Sequence, residues 1–348
     1  MLTLKSLIMV EEKTEVVTDE IKKPKVVVVV GNGFDLDLGF KTSYGDFVRS
    51  QWFQAMLVEN HSNSFNIENE YLREMNIIPN GFAKFVKKKE EHNNWVDLEE
   101  CIKEYCIEQK GILSSDTIFR EVNAVRYFLY KFVAEIPRNI DPLFYYDKVS
   151  YKLLCTLIDS KLDFEIWSFN YTYSCEILLE KLGCTNDVLK DKIHYIHGSL
   201  FQAEGENKLS LVLGCNYSEE VSAVCPSILK NDMMPNYKRL KNQFDSHLND
   251  AENIIFIGHS MGSTDRQYFK NVLESPNLKA ITIITKDTAS LNNVRINFGK
   301  LPGNFEIKVE DGIFSYLKYR SDTYYQTNNP DKKGLKDLLQ KVTTGQYT

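Results

Sequence analysis

Apolar residues follow two rhythms along this chain. Residues 26–30 are five consecutive valines that run straight into Gly31-Asn32-Gly33-Phe34-Asp35. An unbroken β-branched run bounded by glycine predicts a central strand buried on both faces, as in a parallel sheet. Ser43-x-x-Asp46 then reads as a capping box for a helix to about residue 56, and from there to about residue 160 the helical rhythm dominates. Its clearest stretch is 116–136, with apolar residues at helical spacing up to Pro137; 95–110 and 147–160 are further helices. After residue 160 the rhythm alternates. Strands are predicted at 164–168, 193–196, 209–213, 254–257 and 280–284, and helices at 173–182, 237–248 and 265–274.

Such alternation predicts an α/β fold, a doubly wound and mostly parallel Rossmann-like sheet, carrying a large helical insertion. The expected organisation is a polar leader at 1–25, a nucleotide-binding α/β domain from 26–47 and 161–325, and a helical lid or assembly insertion at 48–160. A C-terminal helix and tail would occupy 326–348.

Composition narrows the classes. The 348 residues are 43% hydrophobic with a formal net charge of -6, a balance that disfavours a surface built mainly for nucleic acid. Seven cysteines, an odd count without a C-x-x-C pair, suit free thiols in a reducing compartment. No stretch approaches the roughly twenty apolar residues of a membrane span, so a soluble, cytoplasmic protein is expected, with no membrane partner.

Candidate chemistry lies just after the strands. The first delivers Gly31 to Asp35, the 164–168 strand delivers Asn170, the 193–196 strand His197-Gly198, and the 254–257 strand Gly258-His259-Ser260. In a parallel sheet these ends share one edge and can converge on one cleft, where a Gly-x-Gly turn lets backbone N–H groups approach a phosphate. The usual dinucleotide fingerprint is incomplete, since Leu36 stands where its third glycine would be and the next glycine is Gly39. Each residue also has a plainer reading: Asn170 as a turn or N-cap residue, His197 as a turn histidine, and Gly258-His259-Ser260 as a loop capped by Asp265. His194 reads as a residue of the sheet face, and His61 and His92 receive no role. No metal site is predicted.

Taken together, Gly31-Asn32-Gly33-Phe34-Asp35, Ser43-Tyr44-x-Asp46-Phe47, Trp95-x-Asp97-Leu98-Glu99, Ser168-Phe169-Asn170-Tyr171-Thr172, His197-Gly198 and Gly258-His259-Ser260-x-Gly262-x-x-Asp265 resemble the bacteriophage abortive-infection AbiH family. More distantly the order of motifs resembles the sirtuin-like fold, whose first turn carries a further glycine at the spacing of Gly39. That likeness implies NAD as the ligand and substrate, with Gly31, Asn32, Gly33, Phe34, Gly39, Gly258, His259, Ser260 and Asp265 around it and Asn170, His197 and Asp35 as catalytic groups. Two departures stand out. The paired C-x-x-C zinc motif of sirtuin deacetylases is missing, and the sirtuin serine and aspartate are here Asp35 and Thr172.

The resemblance implies an anti-phage effector that cleaves NAD to nicotinamide and ADP-ribose. Cleavage of that glycosidic bond passes through an oxocarbenium-like state, which asks for anionic or dipolar groups near the ribose and a positioned water. His197, at an ordinary pKa of about 6.5, would be the general base. Expected partners are the nucleotide, a phage-derived trigger or another defence component, and a second copy of the chain. The alternatives are a nucleotide-binding module without turnover and a nuclease-type effector. Asp97, Glu99 and Glu100 read either as acids at a helix start or as a lid contact to ligand.

Overall fold

A computed structural model describes residues 25–57, 80–93, 97–136, 145–159, 162–200, 211–233, 237–269, 272, 275–278, 280–286, 290, 293–294, 296–297 and 314–318. The strands are β1 (Lys25–Val30), β2 (Asp163–Ser168), β3 (Ile193–Tyr195), β4 (Asn253–Ile257), β5 (Ala280–Thr285) and β6 (Phe314–Lys318). They form one sheet in the order β3-β2-β1-β4-β5-β6, and every pair is parallel. This is the doubly wound, Rossmann-like arrangement, in which the chain turns one way from β1 to β2 and β3 and the other way to β4. Ligands of such sheets bind beyond the carboxyl ends at that reversal, between β1 and β4.

The valine run explains why β1 is central. Val26, Val28 and Val30 pack on one face with Leu153, Leu154 and Leu157 of the helix Val149–Asp159 and with Leu178 and Leu179 of Ser174–Lys181. Val27 and Val29 face the other way, toward Trp167 and toward Phe244 and Leu248 of the helix Tyr237–Asp250. All five side chains are fully buried, and strand alternation divides them between two cores.

A third core is almost wholly helical. Phe47, Phe53, Phe82, Leu98, Ile102, Val122, Val125 and Phe128 meet there, from the helices Tyr44–Arg49, Gln51–Gln54, Gly81–Asn93, Leu98–Glu108 and Ser115–Ala134. Tyr171, Leu211 and Leu213 join it from the sheet side.

Several expectations change in detail. The capping box is present, with Ser43 Oγ accepting from Asp46 N and the Asp46 carboxylate accepting from Ser43 N. Ser50 nonetheless ends that helix and caps a second one through Phe53 N. Residues 211–213 are buried but extend no sheet; Val212 N donates to His197 O instead, at 2.8 Å. In place of the helix expected at 265–274, the described residues take 3-10 geometry, at Arg266–Phe269 and again at Val272. All seven cysteines are free thiols. The expected leader and C-terminal helix lie outside the described residues, as do Trp95 and His61.

Candidate functional site

The site begins where two glycine turns meet. Gly31 N donates to Ile257 O and Gly33 N to Gly258 O, over 3.0 and 2.8 Å. A Cβ at Gly33 would lie 2.5 Å from Gly258 Cα, and one at Gly258 would lie 2.3 Å from Phe34 N. Gly258 also holds a φ of +61. These glycines therefore exist to let the ends of β1 and β4 touch backbone to backbone. The expectation that Gly31 and Gly33 offer free N–H groups to a phosphate is corrected, because both groups already have carbonyl acceptors.

A cavity of about 340 Å³ opens beside this junction. Of the residues expected there, Gly31, Asn32, Asp35, Asn170 and His197 line it, as do Gly258, His259, Ser260 and Asp265. Gly33, Phe34 and Gly39 are not among its lining residues. Phe34 is buried in the core against the valines, and Gly39, with a φ of +87, lets the chain leave the short helix Asn32–Asp37.

One part of the wall is organised around Asp35. Its carboxylate accepts hydrogen bonds from Thr172 Oγ1, at 2.7 Å, and from Ser174 Oγ. Asn170 Nδ2 donates to Gly31 O at 3.0 Å, and Ser168 Oγ accepts from Asn170 N, so the end of β2 is tied to the first turn. Burial lifts the Asp35 pKa from an ordinary 3.8 to about 6, against the opposing pull of Ser174, Thr172 and Asn170. A carboxyl poised in that range changes charge close to physiological pH.

Another part is an ionic cluster. Lys230 Nζ lies 2.7 Å from Glu99 Oε2 and 3.1 Å from His197 Nε2. His197 Nε2 is 3.8 Å from Asp265 Oδ1, and His259 Nε2 is 3.5 Å from Asp265 Oδ2. Lys230 is 1% exposed; burial works against its charge, but the Glu99 and Asp265 carboxyls outweigh it and hold the ammonium form. Burial raises Glu99 to about 8, with Lys230 opposing. Burial also opposes the charge on Asp265, yet His259, His197 and Lys230 keep this carboxyl below the usual range. His197 is driven down to about 3, first by burial and then by the Lys230 ammonium. That corrects the expected value near 6.5: the ring is neutral at working pH and its Nε2 faces a cation.

Asp97 is a helix cap, as one of its two readings expected. Its Oδ1 accepts from Glu99 N and Glu100 N, capping Leu98–Glu108, and it also lines the cavity. The helices thus supply Tyr44, Arg49, Asp97, Glu99, Leu129 and Val133 to the wall. The family model described as bacteriophage abortive infection AbiH matches residues 27–287.

The chain belongs to the AbiH family. The match spans every cavity residue named above, and the family places the role of the chain in abortive infection against phage. No curated protein matches it. Among the described residues no helix is long and apolar enough to cross a membrane. Lys230 is the part of this AbiH cluster that sequence reasoning missed. A single lysine after Ile228-Leu229 carries no motif, and its burial against Glu99 follows only from the fold.

Proposed function

We propose that the chain is an abortive-infection effector that hydrolyses NAD at the nicotinamide–ribose bond. The single observation that carries the reading is Asp35: a buried carboxyl with a pKa of about 6, lining a cavity at the β1/β4 reversal and braced by two hydroxyls. As an anion it would stand where positive charge develops on the ribose, a kind of stabilisation worth about 10²–10³ in rate. Asn170, locked to Gly31 O, would fix the ribose or the attacking water. His197, neutral and turned toward Lys230, is better suited to shaping the wall than to accepting a proton, and the base role passes to Asp35.

The sirtuin likeness supports the same ligand. The positions that hold serine and aspartate in sirtuins hold Asp35 and Thr172 here, and the two touch. Donors for a pyrophosphate would come from the Asn32 amide and the Arg49 guanidinium rather than from the glycines. Incubation of purified protein with NAD, read as nicotinamide release, tests the reading, with Asp35→Asn as the inactive reference.

Binding without turnover is a second reading, favoured by the engagement of His197 Nε2 with Lys230. It predicts saturable NAD or ADP-ribose binding and no nicotinamide.

A further inference from the structure

Away from the cleft, three potential ligand atoms from three elements converge on the sheet face that carries Trp167. Glu165 belongs to β2, His194 to β3, and His247 to the last turns of Tyr237–Asp250. Glu165 and Trp167 are two residues apart on β2 and so share a face, and His194 pairs in register with Trp167. The helix is held over that face by Phe244 and Leu248, which brings His247 down onto the strands. Glu165 Oε2, His194 Nε2 and His247 Nδ1 all lie within 4.8 Å of one another.

None of these three atoms is open to solvent and none makes an aligned hydrogen bond. Glu165 Oε2 is 3.7 Å from His194 Nε2 and in close contact with His247 Nδ1. Ligands on a tetrahedral ion with bonds of about 2.0–2.1 Å stand roughly 3.3 Å apart, so His194 Nε2 would close slightly on Glu165 Oε2 and His247 Nδ1 would draw back from it to admit the ion. A shared proton serves one pair among the three; a divalent cation accepts a lone pair from each. The other carboxylate oxygen, Glu165 Oε1, is 3.7 Å from Lys25 Nζ, a contact that would orient Oε2 toward the ion. Side-chain exposures of 18–26% leave the ion a route from solvent.

We propose that Glu165, His194 and His247 form a binding site for one divalent transition-metal ion of the zinc class, tying β2, β3 and the helix Tyr237–Asp250 together. Two imidazoles and one carboxylate suit Zn2+, and equally its probe Co2+, better than Mg2+ or Ca2+. The ion would sit about 13 Å along the chain direction of β2 from the cleft, given four residues from Glu165 to the cavity-lining Phe169, so the site stands apart from the cavity and from the NAD reading.

Trp167 supplies a local reporter. Its ring stacks on His194 with centroids 4.4 Å apart and meets His247 edge-on at 5.4 Å. The test titrates chelator-treated full-length protein with Co2+ alone, reading visible d–d bands, Trp fluorescence and stoichiometry, on wild type, His247→Ala and Glu165→Gln. Circular dichroism first establishes that each variant is folded, and the near-isosteric Glu165→Gln serves should His247→Ala not be. The expected result is about one Co2+ per chain with quenched fluorescence, and affinity weakened at least 10-fold in each folded variant. Absence of stoichiometric binding to wild type, or binding unchanged in a folded variant, overturns the proposal.

Discussion

Thr172 donates its hydroxyl hydrogen to Asp35 Oδ2 over 2.7 Å, linking the segment after β2 to the short helix after β1. The bond holds a buried carboxylate at the cavity wall, and it lowers an acid that burial pushes up to about 6. Loss of the donor in Thr172→Val should raise the Asp35 pKa further. Under the proposed chemistry the pH–rate curve of wild type rises through about pH 6, and that of Thr172→Val rises at higher pH. Initial rates of nicotinamide release across pH 4.5–8.5 check this.

The same shift has a consequence for stability. Asp35 is harder to ionise in the fold than in the unfolded chain, so its contribution is fully present below pH 3.8 and is lost as pH rises through about 6. The loss amounts to about 3 kcal/mol, taking ~1.4 kcal/mol per unit. Asp35→Asn should therefore gain stability on wild type as pH rises from 4 to 8, while nicotinamide release falls about 10²-fold or more. Urea unfolding of both proteins at pH 4 and pH 8 measures the difference.

Lys230 is the only cation that the structure places between Glu99, His197 and Asp265 among the described residues. Lys230→Met keeps the volume and removes the charge, leaving the buried Glu99 carboxyl without the ammonium 2.7 Å from its Oε2. The expected cost is about 3–5 kcal/mol in urea unfolding. In the folded variant the His197 ring should titrate above its value of about 3, since one of the two main causes of that value is gone. Histidine NMR titration reads it directly.

Gly258→Ala and Gly39→Ala separate contact from conformation. Both glycines have positive φ, but a Cβ at Gly258 strikes the Phe34 and Gly33 backbone and one at Gly39 meets nothing within 4 Å. The first should cost about 2–4 kcal/mol and the second about 1–2 kcal/mol. Thermal unfolding of the two variants gives the comparison.

The parts of this fold that could be read from sequence are those governed by local rules. Five valines announced a central strand, and the helix Ser115–Ala134 lies within two residues of its apolar pattern. The convergence of Asp35, Asn170, His197 and His259 followed from one rule, that parallel strands share a carboxyl edge. Reading failed where tertiary contact decides. Leu211 and Leu213, in the expected strand 209–213, looked like strand residues because they are apolar, yet they fill a helical core. Gly31 and Gly33 looked like a phosphate cradle because the sequence, which shows Gly258 after the 254–257 strand, does not reveal that the two turns pack backbone to backbone. Lys230, and the meeting of Glu165 with His194 and His247, depend on segments far apart in the chain and leave no local signature.

The central claim is that the cleft destroys NAD during infection. NAD and free nicotinamide should be measured in cells expressing wild type, Asp35→Asn or Asn170→Ala, before and after phage addition. The account predicts that NAD falls and nicotinamide appears in infected wild-type cells alone, and that both variants lose protection. Steady NAD in infected wild-type cells that remain protected would contradict it.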